Sequence, residues 1–318
     1  MKNIFKTIIL FSFLCTITQL NGQNKQLERA DQYFNNHEFT MAIKYYQKVI
    51  KKDSSNIYAM HQIGETYRLI GENQKANPWY GLALKVDPDS KQDLYYYART
   101  LLTMGEYTKA LDAYKKYNSL FPGDHRVTPF INSPNYVNEL KKDSLYYLVS
   151  YLPFNSEMSD FGPTILYDKL LFTSSRERDI PLERKSTWEN EPFLDLYTID
   201  LLPNQTYGEI KLIEKPITSK YHVASASFDK KTNDLYFTRT TFSENEVRTE
   251  NIRVKNLEIY YSHYNEDNTW GDLQPFPYNN KAYSIAQPAI SDDGEKLYFV
   301  SDMPGGLGGT DIYVCEWN

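Results

Sequence analysis

Cysteine is nearly missing from this chain, whose 318 residues include only two, Cys15 and Cys315. Two thiols cannot lay out the disulfide framework of a small secreted domain, and Cys15 lies in an N-terminal apolar segment, so Cys315 is the thiol left to the body of the protein. Histidine is sparse as well. His37, His61, His125, His222 and His263 stand apart, none pairing with another histidine or a cysteine at ligand spacing, and no metal site is predicted. A Gly-x-Ser-x-Gly elbow and a Gly-x-x-x-x-Gly-Lys loop are both lacking, which removes serine hydrolysis and nucleotide handling by those devices. No cofactor is expected. The formal net charge is −6 with no basic cluster to offset it, which argues against nucleic acid as a partner.

An apolar run long enough to span a bilayer is also wanting: the stretch from Thr7 to Ile17 is short and interrupted by small polar residues. It follows Lys2 and Lys6 and leads to Gly22 before Gln23, the layout of a secretory signal over residues 1–22. Leu20, three residues before that cut, is larger than such positions usually hold. Loss of Lys2 and Lys6 takes the charge from −6 to −8. Leu14 precedes Cys15 where a lipoprotein signal has a small residue, so a lipid anchor is not expected. Export to the periplasm is the expectation.

What the chain does have is repetition. Counting 34-residue units from Gln23, Ile57 and Lys91, the eighth positions are Ala30, Gly64 and Ala98, the twentieth Ala42, Ala76 and Ala110, and the twenty-fourth Tyr46, Tyr80 and Tyr114. Ser54, Pro88 and Pro122 fall at the thirty-second. This is tetratricopeptide spacing. Small side chains at two columns let antiparallel helices approach, and the tyrosine fills the space left by their crossing. Each pair exposes an apolar face that only the next pair covers, so residues 23–124 are predicted to form a solenoid of three repeats. Helices are predicted at Lys25 to Asn35, Phe39 to Lys51, Tyr58 to Leu69, Asn73 to Lys85, Gln92 to Thr103 and Tyr107 to Ser119, with turns at Gly71 and Gly105. Pro78 should kink the fourth helix or delay its start.

Residues 125–144 read as a linker and a capping helix. Phe121 to Ser133 holds a mixture of proline and glycine that stops helices, and Ser133-Pro134 then starts one more short helix to about Lys141.

From residue 145 to 318 the pattern changes to strand and turn chemistry. Phe172, Phe237 and Phe299 recur at spacings of 65 and 62. Each is followed by a second marker: Asp195-Leu196-Tyr197, Glu258-Ile259-Tyr260 and Asp311-Ile312-Tyr313. Gly208-Glu209-Ile210 and Gly271-Asp272-Leu273 recur at 63. Duplicated four-stranded units follow, the blades of a propeller. Surplus sequence at Arg176 to Asn190 and Arg239 to Lys255, rich in Glu, Arg and Lys, reads as solvated hairpins or as a partner-binding surface. Asp292-Asp293-Gly294 and the glycines at 305, 306, 308 and 309 read as interstrand turns.

Tetratricopeptide repeats joined to blades reading Pro288-Ala-Ile-Ser-Asp-Asp-Gly-Glu-Lys-Leu-Tyr-Phe-Val-Ser-Asp302, then Gly305-Gly-Leu-Gly-Gly-Thr-Asp-Ile-Tyr313, resemble the OmpA-family envelope proteins. Asn155-Ser156 with Ser159-Asp160-Phe161-Gly162-Pro163 resembles their propeller entry. In that family a solenoid and a TolB-type, WD40-like propeller precede a peptidoglycan-binding domain. The resemblance implies an α + β multidomain protein, an N-terminal α-solenoid followed by an incomplete β-propeller of about two and a half blades. It implies envelope proteins as partners, with peptidoglycan reached through a C-terminal domain that this sequence lacks. Fewer than four blades cannot close a ring, so the expectation is a fragment or a truncated product. Tyr146 to Leu152 is a strand-like run suited to closing a final blade.

The expected function is a non-catalytic scaffold. An exported hydrolase whose propeller gates a missing catalytic domain, and a glycan-binding propeller, are the alternatives. Positions two, five, nine and twelve of repeats two and three place Tyr58, His61, Glu65, Arg68, Gln92, Tyr95, Arg99 and Leu102 on the concave wall of the solenoid. Arg68 and Arg99 are either a forked clamp for a carboxylate or acidic peptide, or solvated helix arginines, with Glu65 as a candidate pair.

Overall fold

A computed structural model describes residues 25–133, 138–139, 141–178, 185–186, 188–241 and 256–316. The predicted signal lies outside these residues, as do most of the predicted capping helix and the centres of both surplus segments. Among the described residues no helix is long and apolar enough to cross a membrane. The chain divides into two compact units, residues 1–150 with Thr187–Asn190, and Tyr151–Ser186 with Glu191–Asn318.

The first unit is helical. Helix α1 covers residues 25–35, followed by α2 (Phe39–Lys52), α3 (Ile57–Leu69), α4 (Asn73–Val86), α5 (Lys91–Thr103) and α6 (Tyr107–Leu120). Starts and stops have local causes. Asn56 caps α3 by accepting the Ala59 N–H at 2.9 Å, and Ser90 caps α5 through the Asp93 N–H. Within each pair the turn needs a left-handed residue: Gly71 and Gly105 supply two, and His37 takes the same conformation one repeat earlier. The next N–H closes a six-residue loop each time, Glu38 to Tyr33 O, Glu72 to Tyr67 O and Glu106 to Leu101 O, at 2.8 to 2.9 Å.

The small-residue columns are where the helices meet. Ala30, Ala42, Ala76 and Ala98 are fully buried, and a Cβ on Gly64 would stand 3.1 Å from the Tyr80 ring. Pro78 does not delay α4, which starts at Asn73 and runs through it. The proline forfeits one backbone hydrogen bond, but burial of Ala76, Tyr80 and Ala83 on the same helix outweighs that loss. The stretch expected to stop helices holds a one-turn helix, α7 (Thr128–Asn132), with Pro129 in its first turn, where a proline removes only an N–H that had no intrahelical partner. Phe130 of α7 stacks on Tyr114 at 5.0 Å.

The second unit comprises three antiparallel sheets, each a meander in chain order. The first holds β1 (Asp160–Leu166), β2 (Lys169–Ser174), β3 (Asp195–Leu202) and β4 (Thr206–Leu212). The second holds β5 (Val223–Asp229), β6 (Asp234–Thr240), β7 (Leu257–His263) and β8 (Gln274–Pro275), and the third β9 (Ile285–Ile290), β10 (Lys296–Ser301) and β11 (Asp311–Glu316). No closed barrel or ring is found among the described residues.

The three first strands share a defect. Each carries a bulge with a left-handed residue at Gly162, Ser225 or Gln287. In the second and third sheets that residue's N–H reaches back to the preceding sheet, Ser225 N to Thr173 Oγ1 at 3.2 Å and Gln287 N to Thr238 Oγ1 at 2.8 Å. Packing repeats with it. Leu171 and Leu196 of the first sheet lie in one cluster with Val223, Leu235 and Phe237 of the second, and Tyr236 and Ile259 lie with Ile285, Leu297 and Phe299 of the third. Each sheet thus covers one face of its predecessor.

At the start of the first surplus segment, Arg176 and Arg178 are half-buried and paired. Arg176 donates to Asp160 Oδ1 at 2.8 Å and lies over Phe172 and Tyr197, while Arg178 donates to the buried Asp195 at 2.9 Å. The two glycine motifs are turns: Gly294 precedes β10, and Gly305 to Gly309 lie between β10 and β11.

Candidate partner-binding surface

The ninth position of each repeat lies on the first helix of a pair, beside the twenty-fourth-position tyrosine of the second helix. In the first repeat, the Tyr46 hydroxyl donates to Asp31 Oδ1 at 2.6 Å. In the second, Tyr80 donates to Glu65 Oε2 at 2.9 Å. Burial first, and the carboxylate beside it second, push the Tyr46 hydroxyl far above the usual tyrosine range; burial and Glu65 do the same to Tyr80. Both hydroxyls therefore stay protonated and act as fixed donors.

The four candidates on α3 are all engaged by other side chains, in three separate groups. Tyr58, about half exposed, donates to Asp31 at 3.0 Å and accepts from Gln62 at 2.9 Å. His61 Nδ1 is 2.7 Å from Asp93 Oδ1, and Asp93, buried at the start of α5, also receives the Ser90 hydroxyl at 2.7 Å. Arg68 grips Glu65 with a fork, Nε at 2.8 Å and Nη2 closer, and lies 4.6 Å above the Tyr96 ring. Burial alone would raise the Glu65 carboxyl, but the hydrogen bonds and charge of Arg68 with the Tyr80 donor hold it below its usual value; the same fork raises Arg68. Arg68 is committed to its own helix.

The candidates on α5 are less connected. Gln92 is exposed and Leu102 half-buried. Tyr95 is buried under Arg126, whose guanidinium carbon sits 4.1 Å from the ring centre while pairing with Asp124 at 2.6 Å. Arg99 is exposed, and its guanidinium has no hydrogen bond or ion pair among the described residues. The structure therefore does not bring Arg68 and Arg99 together as two free cations. Asp31, Asp93 and Arg126 complete this surface and escaped the sequence reading. Asp31 was findable as the ninth position of repeat one, whereas the partner of His61 is 32 residues away and no column pointed to it. Among the described residues no group of three or more His, Cys, Asp or Glu is placed to hold a metal ion.

Comparison with known proteins agrees with the helical part. Residues 57–90, the second repeat, match the model of the tetratricopeptide repeat. The chain thus contains a tetratricopeptide-like helical region of the kind that makes a protein-interaction scaffold, followed by antiparallel sheets. Comparison with curated proteins gives no match. Solved structures similar to it include MamA, at 24% identity over 40% of this chain and 74% of that one with a TM-score of 0.35. The Sgt2 tetratricopeptide domain of Aspergillus fumigatus has 17% identity over 43% and 91%, with a TM-score of 0.34. The Yersinia enterocolitica type III secretion chaperone SycD, in complex with a peptide of the translocator YopD, has 16% identity over 40% and 95%, with a TM-score of 0.31.

Proposed function

We propose that the chain is a non-catalytic scaffold of the cell envelope, in which the helical repeats recruit proteins and the sheets are blades of a TolB-type propeller. On this reading it is an OmpA-family envelope protein similar to PorE of the type IX secretion and gliding machinery. It is exported to the periplasm and associated with the outer membrane, and peptidoglycan is contacted through a domain beyond this sequence. The observation that carries the scaffold reading is the row of side chains on the first helices of the repeats, held in the first two repeats by part-buried tyrosine–carboxylate bonds. Rigid repeats offer a preformed surface at low ordering cost. The signal-like N-terminus and the motif from Pro288 to Asp302 support the envelope assignment.

The test is fractionation and cross-linking of the tagged full chain in an envelope-bearing host. Recovery with outer-membrane proteins in the periplasmic fraction is expected. Retention in the cytoplasm, or recovery with no envelope protein after cross-linking, overturns the reading.

A further inference from the structure

Two of the three repeats satisfy their buried tyrosine with a carboxylate of their own, and the third does not. The ninth position reads Asp31, Glu65, Arg99, while the twenty-fourth stays tyrosine throughout. Tyr46 and Tyr80 hydrogen-bond those acids. Tyr114 is as buried as they are, at 2% exposure, held between Phe130 at 5.0 Å and Tyr95 at 6.3 Å, yet its hydroxyl has no hydrogen-bond partner among the described residues. At the position that carries the acceptor in the first two repeats, α5 presents Arg99, exposed and with no side-chain hydrogen bond or ion pair among the described residues. Arg126, which lies over the Tyr95 ring, is already paired with Asp124. Repeat three thus keeps the donor, loses the acceptor and gains a cation in the acceptor's place.

We propose that Arg99 and the Tyr114 hydroxyl form an acceptor site for the carboxylate of an internal Asp or Glu side chain in a partner peptide lying along the first helices. The ligand's carboxylate takes the role that Asp31 and Glu65 fill in the first two repeats. A guanidinium offers a two-donor fork that matches a carboxylate, and the tyrosine hydroxyl adds a third donor from a rigid ring. Charge sets the direction of choice. Upstream, the acids of the row, Asp31, Glu65 and Asp93, are each hydrogen-bonded within the protein and Arg68 is paired with Glu65, so among the described residues of this row the cation left for a ligand is Arg99 of repeat three. This inference rests on the scaffold reading and specifies the chemistry of its partner.

The experiment pans a random dodecapeptide library, displayed without free C-termini, on the immobilised full chain and on Arg99→Gln, Tyr114→Phe and Arg99→Glu. Peptides enriched in Asp and Glu are expected on the unaltered protein, with that enrichment gone on both Arg99 variants. For a synthetic, C-terminally amidated copy of a selected peptide, Arg99→Gln should weaken binding roughly tenfold or more, and Tyr114→Phe about threefold to tenfold. Replacing the peptide's acid by its amide should reproduce the Arg99→Gln loss. Arg99→Glu, which restores the pattern of the first two repeats, should leave the helical circular dichroism and melting temperature intact. Selected peptides without acidic enrichment, or an enrichment that survives Arg99→Gln, overturn the site but leave the scaffold standing. Binding that requires a free C-terminal carboxylate also overturns it. Failure to select any peptide on the unaltered protein removes the scaffold reading and this site together.

Discussion

Leu196, Ile259 and Ile312 are the same residue of the duplicated sheet unit, the middle one of the markers Asp195-Leu196-Tyr197, Glu258-Ile259-Tyr260 and Asp311-Ile312-Tyr313, but their surroundings differ. The first two are 1% and 0% exposed, each under the sheet that follows, whereas Ile312 is 77% exposed. Truncation to alanine removes three carbons in every case. At Leu196 and Ile259 those carbons are buried, worth ~0.8 kcal/mol each. That gives about 2.4 kcal/mol, and a residual cavity brings the cost to roughly 3 to 4 kcal/mol. At Ile312 little apolar surface leaves water, so the change should stay within about 0.5 kcal/mol. Hydrogen exchange read by mass spectrometry on peptides of each sheet separates local stability from that of the helical unit. Leu196→Ala should speed exchange in β2, β3, β5 and β6 by roughly a hundredfold or more, since each 1.4 kcal/mol is a factor of ten. Ile312→Ala should leave β9 and β10 unchanged within about twofold. Equal acceleration at Ile312 and Leu196, or less than about fivefold at Leu196, would refute the argument that each sheet is stabilised by the next one lying on it.

Other consequences concern the helical unit. Tyr46→Phe and Tyr80→Phe each remove one donor from a half-buried acid that keeps another, Tyr58 on Asp31 and Arg68 on Glu65, and should cost about 1 kcal/mol in urea unfolding, while Tyr114→Phe, whose hydroxyl has no partner among the described residues, should cost close to nothing. Gly64→Val pushes a branched side chain into the Tyr80 ring and should lower stability by roughly 1 to 3 kcal/mol, visible as a lower thermal midpoint at 222 nm. Glu65 is held below its usual pKa despite burial, because Arg68 and Tyr80 bond its charged form. A depressed acid stabilises the fold above its unfolded value, about 4.3, and that contribution fades as the pH falls through the lower folded value. Arg68→Met should therefore move the acid-unfolding midpoint of the helical unit upward in a circular dichroism titration. An unchanged midpoint would show that the fork contributes nothing.

How much of this was legible beforehand varies with how local its cause is. The 34-residue columns located all six paired helices to within a residue or two at nearly every end, because small and aromatic side chains recur wherever a pair crosses. Gly71 and Gly105 announced their turns, but His37 occupies the third with no glycine to signal it. Pro78 did not delay the start of its helix, since a proline's cost within one helix is offset by burial contributed from its neighbours. For the site, the row on the first helices could be written down from spacing, and Glu65 three residues before Arg68 marked their pair in advance, while α5 gives Arg99 no acid. What spacing did not disclose were the partners from other helices, Asp93 for His61 and the tyrosines for Asp31 and Glu65.

By itself the sequence determined the two kinds of repeat, their order and the bounds of the six paired helices, since these follow from periodicities of neighbouring residues along one chain. Only the tertiary structure decided which tyrosine meets a carboxylate, which acid meets His61, and which sheet face remains open at Ile312 and Val314. Those outcomes depend on groups brought within a few ångströms from tens of residues away, as with His61 and Asp93 across 32 positions, and hydrogen bonding and burial act at that range alone.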